Sequence, residues 1–324
     1  PQTQTQIACP RGWRSMDDKS TGPYLATRTL SEYAHPELAD YYIHDRIAKT
    51  TTYELKNQGG MTLPELLNTP SGGSALAIVG QQFNYYDFDP GAAERGAFQG
   101  KPLGLVGPYG ALVRTETLAL TDRILDAAYG SQIPPYLKRD PTPSWSPEYP
   151  SAYRDYLETH PWAGYMYKDR TAGTGCKDNF YAVTLRRKYD FHADLNGKVH
   201  GLVTASQDPM GNSTRIDYEM YKFLPDQVTT ENPAGEDLIT QAQYDYRVLQ
   251  PAIVTGPNGN RSRFMYTPLG LPMALAVMGK KEENIGDEKD GDITPSTVFT
   301  YDFSAFMDRN NPISVHTMRR VYHV

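Results

Sequence analysis

Three Pro-x-Gly turns stand 24 residues apart in the second half of the chain: Pro209-Met210-Gly211, Pro233-Ala234-Gly235 and Pro257-Asn258-Gly259. The outer two copies agree further, pairing Asn212 with Asn260, Arg215 with Arg263 and Tyr218 with Tyr266. Proline presets φ near −65° and glycine admits positive φ, so each turn reverses the chain between extended runs. A fixed period of this size belongs to stacked or winding architectures, which makes the turns the first constraint on the fold.

Composition points the same way. The 324 residues include 24 tyrosines against 3 tryptophans and 10 phenylalanines, alongside 27 glycines and 25 prolines. Tyrosine suits the half-buried surface of a strand, with its ring on a neighbour and its hydroxyl near water. So many beside so many turn formers imply mainly β structure. The net charge of −6 is mild and the arginines and lysines are scattered, which excludes the basic footprint of a nucleic-acid binder. Two cysteines, Cys9 and Cys176, exclude a disulfide-dense scaffold and leave either two separate thiols or one bridge. No apolar run reaches the roughly 18 residues of a membrane span, so none is expected. The chain starts at Pro1 and ends at His323-Val324 within a strand-like run, and it reads as a fragment or a processed piece.

Along the chain, residues 1–22 are polar and expected to fray. Residues 23–180 read as β-rich, with period-2 runs at Ile47–Leu55, Gln81–Phe88 and Ala111–Leu118. Two helices are expected there. Thr62 caps one carrying Leu63, Pro64, Leu66 and Leu67; Thr121 caps Asp122–Tyr129, stopped by Gly130. The proline-dense stretch 133–150 is expected to be an extended loop, followed by a brief helix capped by Ser151. Residues 181–324 form the repeat zone. Within it Tyr189-Asp190-Phe191, Tyr244-Asp245-Tyr246 and Tyr301-Asp302-Phe303 are each expected to open an extended stretch, and the charged run Gly279–Thr294 to form an exposed loop.

Enzymatic patterns are weak. Gly104-Leu-Val-Gly-Pro-Tyr-Gly110 lacks the spacing and lysine of a phosphate loop, and its proline has no N–H to offer. Asp287, Asp290 and Asp292 lack the glycine and terminal glutamate of a calcium loop and read as solvated charge. His35, His44, His160, His192, His200, His316 and His323 show no metal spacing, and His192 with His200 reads as a cross-strand surface pair about an Asn196-Gly197 hairpin. No Gly-x-Ser-x-Gly elbow occurs. Asn212-Ser-Thr214 and Asn260-Arg-Ser262 match the glycosylation acceptor pattern, but asparagine has its own structural reason in these turns. No catalytic, cofactor or metal residue is assigned, and a non-enzymatic protein without cofactors is expected.

The Tyr-Asp pairs, the Gly-Asn turns and the Gly-x-x-x-Arg-x-x-Tyr spacing resemble the Rhs or YD-repeat proteins. More narrowly, Tyr244–Arg261, followed by Leu269-Gly-Leu271, Ala276–Lys280 and Gly286-Asp287, resembles the B subunit of insecticidal Tc toxin complexes. Tyr53-Glu-Leu55 and Pro312–Met318 are similar to strings of that subunit too. The resemblance implies a spiralling antiparallel β ribbon forming part of a hollow shell, with a few short helices. It implies a partner C subunit whose toxic C-terminal portion the shell encloses, a pore-forming A subunit met through flanking parts of the B subunit, and release as an extracellular complex. Alternatives are a polymorphic Rhs toxin or cell-surface YD-repeat protein, and a carbohydrate-binding or carbohydrate-active β protein using the tyrosine-rich surface.

Overall fold

The computed structural model of the chain describes residues 2–8, 18–19, 25–55, 59–68, 77–88, 98–133, 155, 163–168, 179–193, 199–232, 235–283 and 285–321. Cys9, Cys176, Pro233, the Ser151-capped helix apart from Asp155, residues 134–150 of the proline-dense stretch and the Asn196-Gly197 hairpin lie outside them. The architecture is mainly antiparallel β with a few short helices. The chain divides into two compact units, Pro1–Asn212 and Ser213–Val324.

Unit 1 is built on β1 (Gln2–Ala8), β2 (Leu25–Tyr33), β4 (Ile47–Glu54), β5 (Ala77–Tyr86), β7 (Leu112–Thr121), β9 (Asn179–Tyr189) and β10 (Val203–Gln207), hydrogen-bonded in that order. One long edge of β9 is shared: β8 (Tyr165–Lys168) pairs with Asn179–Ala182, while β10 pairs with Arg186–Tyr189. A two-residue parallel pair, β3 (His35–Pro36) with β6 (Leu105–Val106), ties a loop back onto the unit. The polar lead-in is thus partly strand: Gln2–Ala8 pairs residue for residue with Leu25–Ser31. Its alternating Gln and Thr suit a two-faced, solvated strand that local polarity alone had marked as frayed.

Both expected helices of unit 1 form. In α1 (Leu63–Leu67) Thr62 and Glu65 make a reciprocal capping box, the Thr62 amide donating to Glu65 Oε2 at 2.7 Å. The short helix buries Leu66 against Ala26 and Leu55. In α2 (Asp122–Tyr129) Thr121 Oγ1 accepts from the Ile124 amide at 3.2 Å, and Leu125 buries against Phe180. Removing either leucine side chain from water contributes about 2 kcal/mol. Further buried clusters gather around Phe83 and Tyr181, around Tyr86 and Val106, and around Val113, Tyr189 and Phe191.

Unit 2 is an antiparallel meander. Its strands β11 (Ser213–Tyr218), β12 (Pro225–Thr230), β13 (Leu238–Asp245), β14 (Gln250–Thr255), β15 (Arg261–Tyr266), β16 (Pro272–Met278), β19 (Thr297–Asp302) and β20 (Ser314–Arg319) pair in that order. A small hairpin, β17 (Glu288–Lys289) with β18 (Asp292–Ile293), is inserted after β16, and α3 (Ala305–Arg309) precedes β20. The charged run is therefore more than a loop: the Asp287 carboxylate is buried and accepts from the Val277 and Ser296 amides, fastening the insertion to β16. Among the described residues of unit 2, the buried apolar side chains are Ala274, Ala276, Met278 and Ala305. Most of this sheet is one layer thick, wet on both faces, and held by its ladders and by cross-strand pairs such as Thr214 with Thr230 and Gln241 with Gln227.

Candidate functional site

The repeat residues organise into one recurring device. A tyrosine near the end of a strand faces the start of the next strand and sends its hydroxyl back to the strand before. Tyr244 is the register partner of Pro251, and its hydroxyl donates to the Pro225 carbonyl at 2.6 Å. Tyr266 is the partner of Pro272 and donates to the Pro251 carbonyl at 2.9 Å. Tyr301 continues the series, donating to the Pro272 carbonyl at 2.7 Å. Each proline therefore sits between two tyrosines, one as register partner and one as hydrogen-bond donor. A proline at a strand start gives no N–H to the ladder but keeps its carbonyl, which the phenol satisfies. The register slips at Tyr218, Tyr244 and Tyr266, and such bulges sharpen the local twist.

Unit 1 repeats the arrangement without prolines. Tyr86 is the partner of Leu112 and donates to the Ile47 carbonyl at 2.8 Å; Tyr189 donates to the Leu112 carbonyl at 2.9 Å. Ile47 is itself the register partner of Tyr33. Burial raises the phenols of Tyr86, Tyr244 and Tyr266 above their ordinary values, so all three are neutral donors at physiological pH.

The acid after the tyrosine holds the following loop. Asp87 is buried, has φ of 52°, and accepts from the amides of Gly107 at 2.6 Å, Gly110 at 3.1 Å and Ala111 at 3.0 Å. The glycine-rich loop is thus an anion cradle occupied by the chain's own carboxylate, and a Cβ at Gly107 would lie 3.0 Å from Asp87 Oδ2. Burial raises the Asp87 carboxyl above its ordinary value, against the opposing pull of the three amides and of Lys101. Asp190 accepts from the His200 and Gly201 amides. Glu219 accepts from Tyr221, Phe223 and Leu224 amides and from the Tyr246 hydroxyl. Burial alone would raise the Glu219 carboxyl, but those donors together hold it below the usual range. The Asp245 carboxylate is lowered chiefly by the Arg247 guanidinium and also takes the Arg247 amide.

The Tyr-Asp pairs therefore close strands: Tyr189 ends β9, and Tyr244-Asp245 and Tyr301-Asp302 end β13 and β19. The expectation that they open extended stretches is corrected. The physical reason is division of labour, with the ring on the pleated sheet and the acid turned into loop amides. The signal was present elsewhere, since Tyr86-Asp87 and Tyr218-Glu219 carry the same order of ring and acid.

The turns differ among themselves. In Asp208–Asn212 the Gly211 amide donates to the Asp208 carbonyl and Asp208 to Asn212; Gly256–Asn260 repeats both bonds through Gly259 and Asn260. Gly211 and Gly259 have φ of 89° and 83°, the left-handed residue of a three-residue hairpin loop. Asp208 Oδ1 and Asn258 Oδ1 accept from the Asn212 and Asn260 amides, which fixes both loops. Gly235 donates to the Asn232 carbonyl without a positive φ, unlike Gly211 and Gly259. Arg215 is exposed beside Asp217, and Arg263 stands opposite Ile253 on β14.

The remaining candidates are scattered. His192 follows β9 in a 3-10 turn, its Nδ1 accepting from the Tyr189 amide and its ring stacked on Phe191; His200 lies in the connection before β10. The two are not a cross-strand pair. Among the described residues no group of three or more His, Cys, Asp or Glu is placed to hold a metal ion. No described helix is long and apolar enough to cross a membrane.

Solved structures share this fold. A TcdB2-TccC3 crystal structure matches 95% of the chain with a TM-score of 0.59 at 17% identity, and the chain spans 15% of that partner's length. A TcdB2-TccC3-Cdc42 crystal structure matches 93% at a TM-score of 0.58 and 18% identity, again over 15% of its chain. The Photorhabdus luminescens Tc holotoxin pore matches 93% at 0.56 and 18% identity, over 13% of its chain. The chain has a Tc-like, Rhs-type fold. No family model matches the sequence, and no curated protein matches it either.

Proposed function

We propose that this chain is a non-enzymatic segment of a Tc-type toxin B subunit, part of a Rhs-repeat β-shell that encloses the toxic C-terminal portion of a partner C subunit. The likeness to TcdB2-TccC3 chains over nearly the whole length carries this reading. The one-layer sheet of unit 2 supports it, because a wall wet on both faces needs tyrosines, arginines and threonines in place of a two-sided apolar core. Loops at the tyrosine ends of its strands expose Met220, Phe223, Leu269 and Met307 by 72–88%. A wall segment would set such apolar rims against its neighbours. In this reading the complete subunit meets a pore-forming A subunit through parts beyond this segment and acts outside the producing cell.

Co-expression with a cognate C-type subunit, followed by size-exclusion chromatography and electron microscopy, tests the proposal. A hollow co-complex is the expected result. A stable monomer that ignores the partner refutes it.

A further inference from the structure

We propose that a cleft in unit 1, of about 670 Å³, binds a neutral pyranose ring, one residue of a glycan chain. Its volume lies in the range of small-ligand sites. One wall is a stack of near-parallel rings: Tyr109 lies on Phe191 at 4.2 Å and 10°, and Phe191 on Tyr189 at 5.2 Å and 7°. The stack ends at Tyr109, a residue that remains 39% exposed although one ring face is covered. An aromatic face offered beside apolar Leu112 and Val199 suits the C–H face of a sugar.

Polar groups converge on the same space. Arg46 is fixed by Nε donating to the Gly110 carbonyl at 2.8 Å and Nη1 to Asp45 at 2.7 Å, which leaves Nη2 to donate to a ligand hydroxyl. The half-exposed His200 ring adds a second polar group to the lining. At Gly201 a Cβ would meet nothing within 4 Å, so the cleft is open above that backbone. Charge selects among ligands. Arg46 is paired with Asp45, and the His200 ring lies 3.9 Å from Asp190, so both the arginine and the histidine have an acid beside them. That balance favours a neutral hydroxylated ring over a carboxylate or phosphate.

The test uses the full 324-residue chain. Lactose, cellotriose, maltotriose and chitotriose are titrated to about 10 mM by saturation-transfer NMR, with benzoate and sialyllactose as anionic probes. The expected result is saturable, salt-insensitive binding of at least one neutral sugar, kept within about twofold in Tyr109→Phe and weakened about tenfold in Tyr109→Ala. The Gly110 and Gly201 amide resonances of the unmodified chain should shift with the same sugar, which keeps the test decisive should Tyr109→Ala not fold. The proposal is overturned by no saturable binding of any neutral sugar, by unchanged affinity in a folded Tyr109→Ala, by silent Gly110 and Gly201 amides, or by stronger, salt-sensitive binding of the anionic probes. None of these outcomes depends on assembly with another subunit.

Discussion

Replacing Asp87 tests whether an acid after a strand-ending tyrosine organises the loop that follows. The residue is 1% exposed and its carboxylate takes three backbone amides, two on Oδ2 and one on Oδ1. Asp87→Asn can keep the amide oxygen at the Oδ2 position, preserving the Gly107 and Gly110 bonds, but it sets an NH2 against the Ala111 N–H. The loss is one buried bond plus the charge assistance of the others, about 1.5–3 kcal/mol. Asp87→Ala strands all three amides and adds the left-handed strain at φ of 52°, for about 3–6 kcal/mol. The pH dependence has a definite sign. Because the folded-state value is raised, the stabilising contribution is complete below the ordinary aspartate range of about 3.9 and is lost as pH rises through the folded value. The gap between the natural chain and Asp87→Asn should therefore widen as pH falls from 7 towards 4. Denaturant unfolding followed by circular dichroism gives the free energies, and hydrogen exchange at Gly107, Gly110 and Ala111 reports the loop. A cost below about 0.5 kcal/mol for Asp87→Ala, or unchanged exchange at those amides, would refute the staple.

Other consequences are open to simpler measurements. Glu219 titrates with the opposite sign: its value is depressed, so its contribution is present above the ordinary glutamate range and is lost as pH falls through the folded value, loosening the 219–224 loop in acid as read by hydrogen exchange. Tyr244→Phe and Tyr266→Phe should each cost about 0.5–1 kcal/mol in denaturant unfolding, with non-additivity in the double variant because Pro251 contacts both tyrosines. Gly259→Ala should cost about 1–2 kcal/mol for its φ of 83°, whereas Gly235→Ala, without positive φ, should cost less than half as much in the same assay.

The two helices of unit 1 were legible because their signals are local, whereas α3 (Ala305–Arg309) was not anticipated. Thr62 with Glu65, and Thr121 with Gly130, are caps whose partners lie within a few residues. The outer turns were legible for the same reason, since Gly211 and Gly259 complete their hydrogen bonds within five residues. The tyrosine device was visible only as a motif. Its meaning needs the strand order, because the hydroxyl of Tyr244 reaches Pro225, 19 residues back, and that of Tyr189 reaches Leu112, 77 back. The cradle around Asp87 was hidden likewise, its amides lying 20 to 24 residues away. The cleft beside Tyr109 draws on five separate stretches of unit 1, and no single one of them announces it.

The 24-residue spacing also sets how such a ribbon can change in length. Between Pro209 and Pro233 lie two strands, β11 and β12, and between Pro233 and Pro257 lie two more, β13 and β14. Adding or deleting one whole period in unit 2 returns each tyrosine to the edge it occupied and hands every proline carbonyl a new donor of the same kind. Half a period would send the tyrosines to the opposite edge, among the Gly-Asn turns. Growth by duplication is therefore quantised in hairpins, so an enclosure made from this ribbon would be resized in discrete steps without redesigning any single joint.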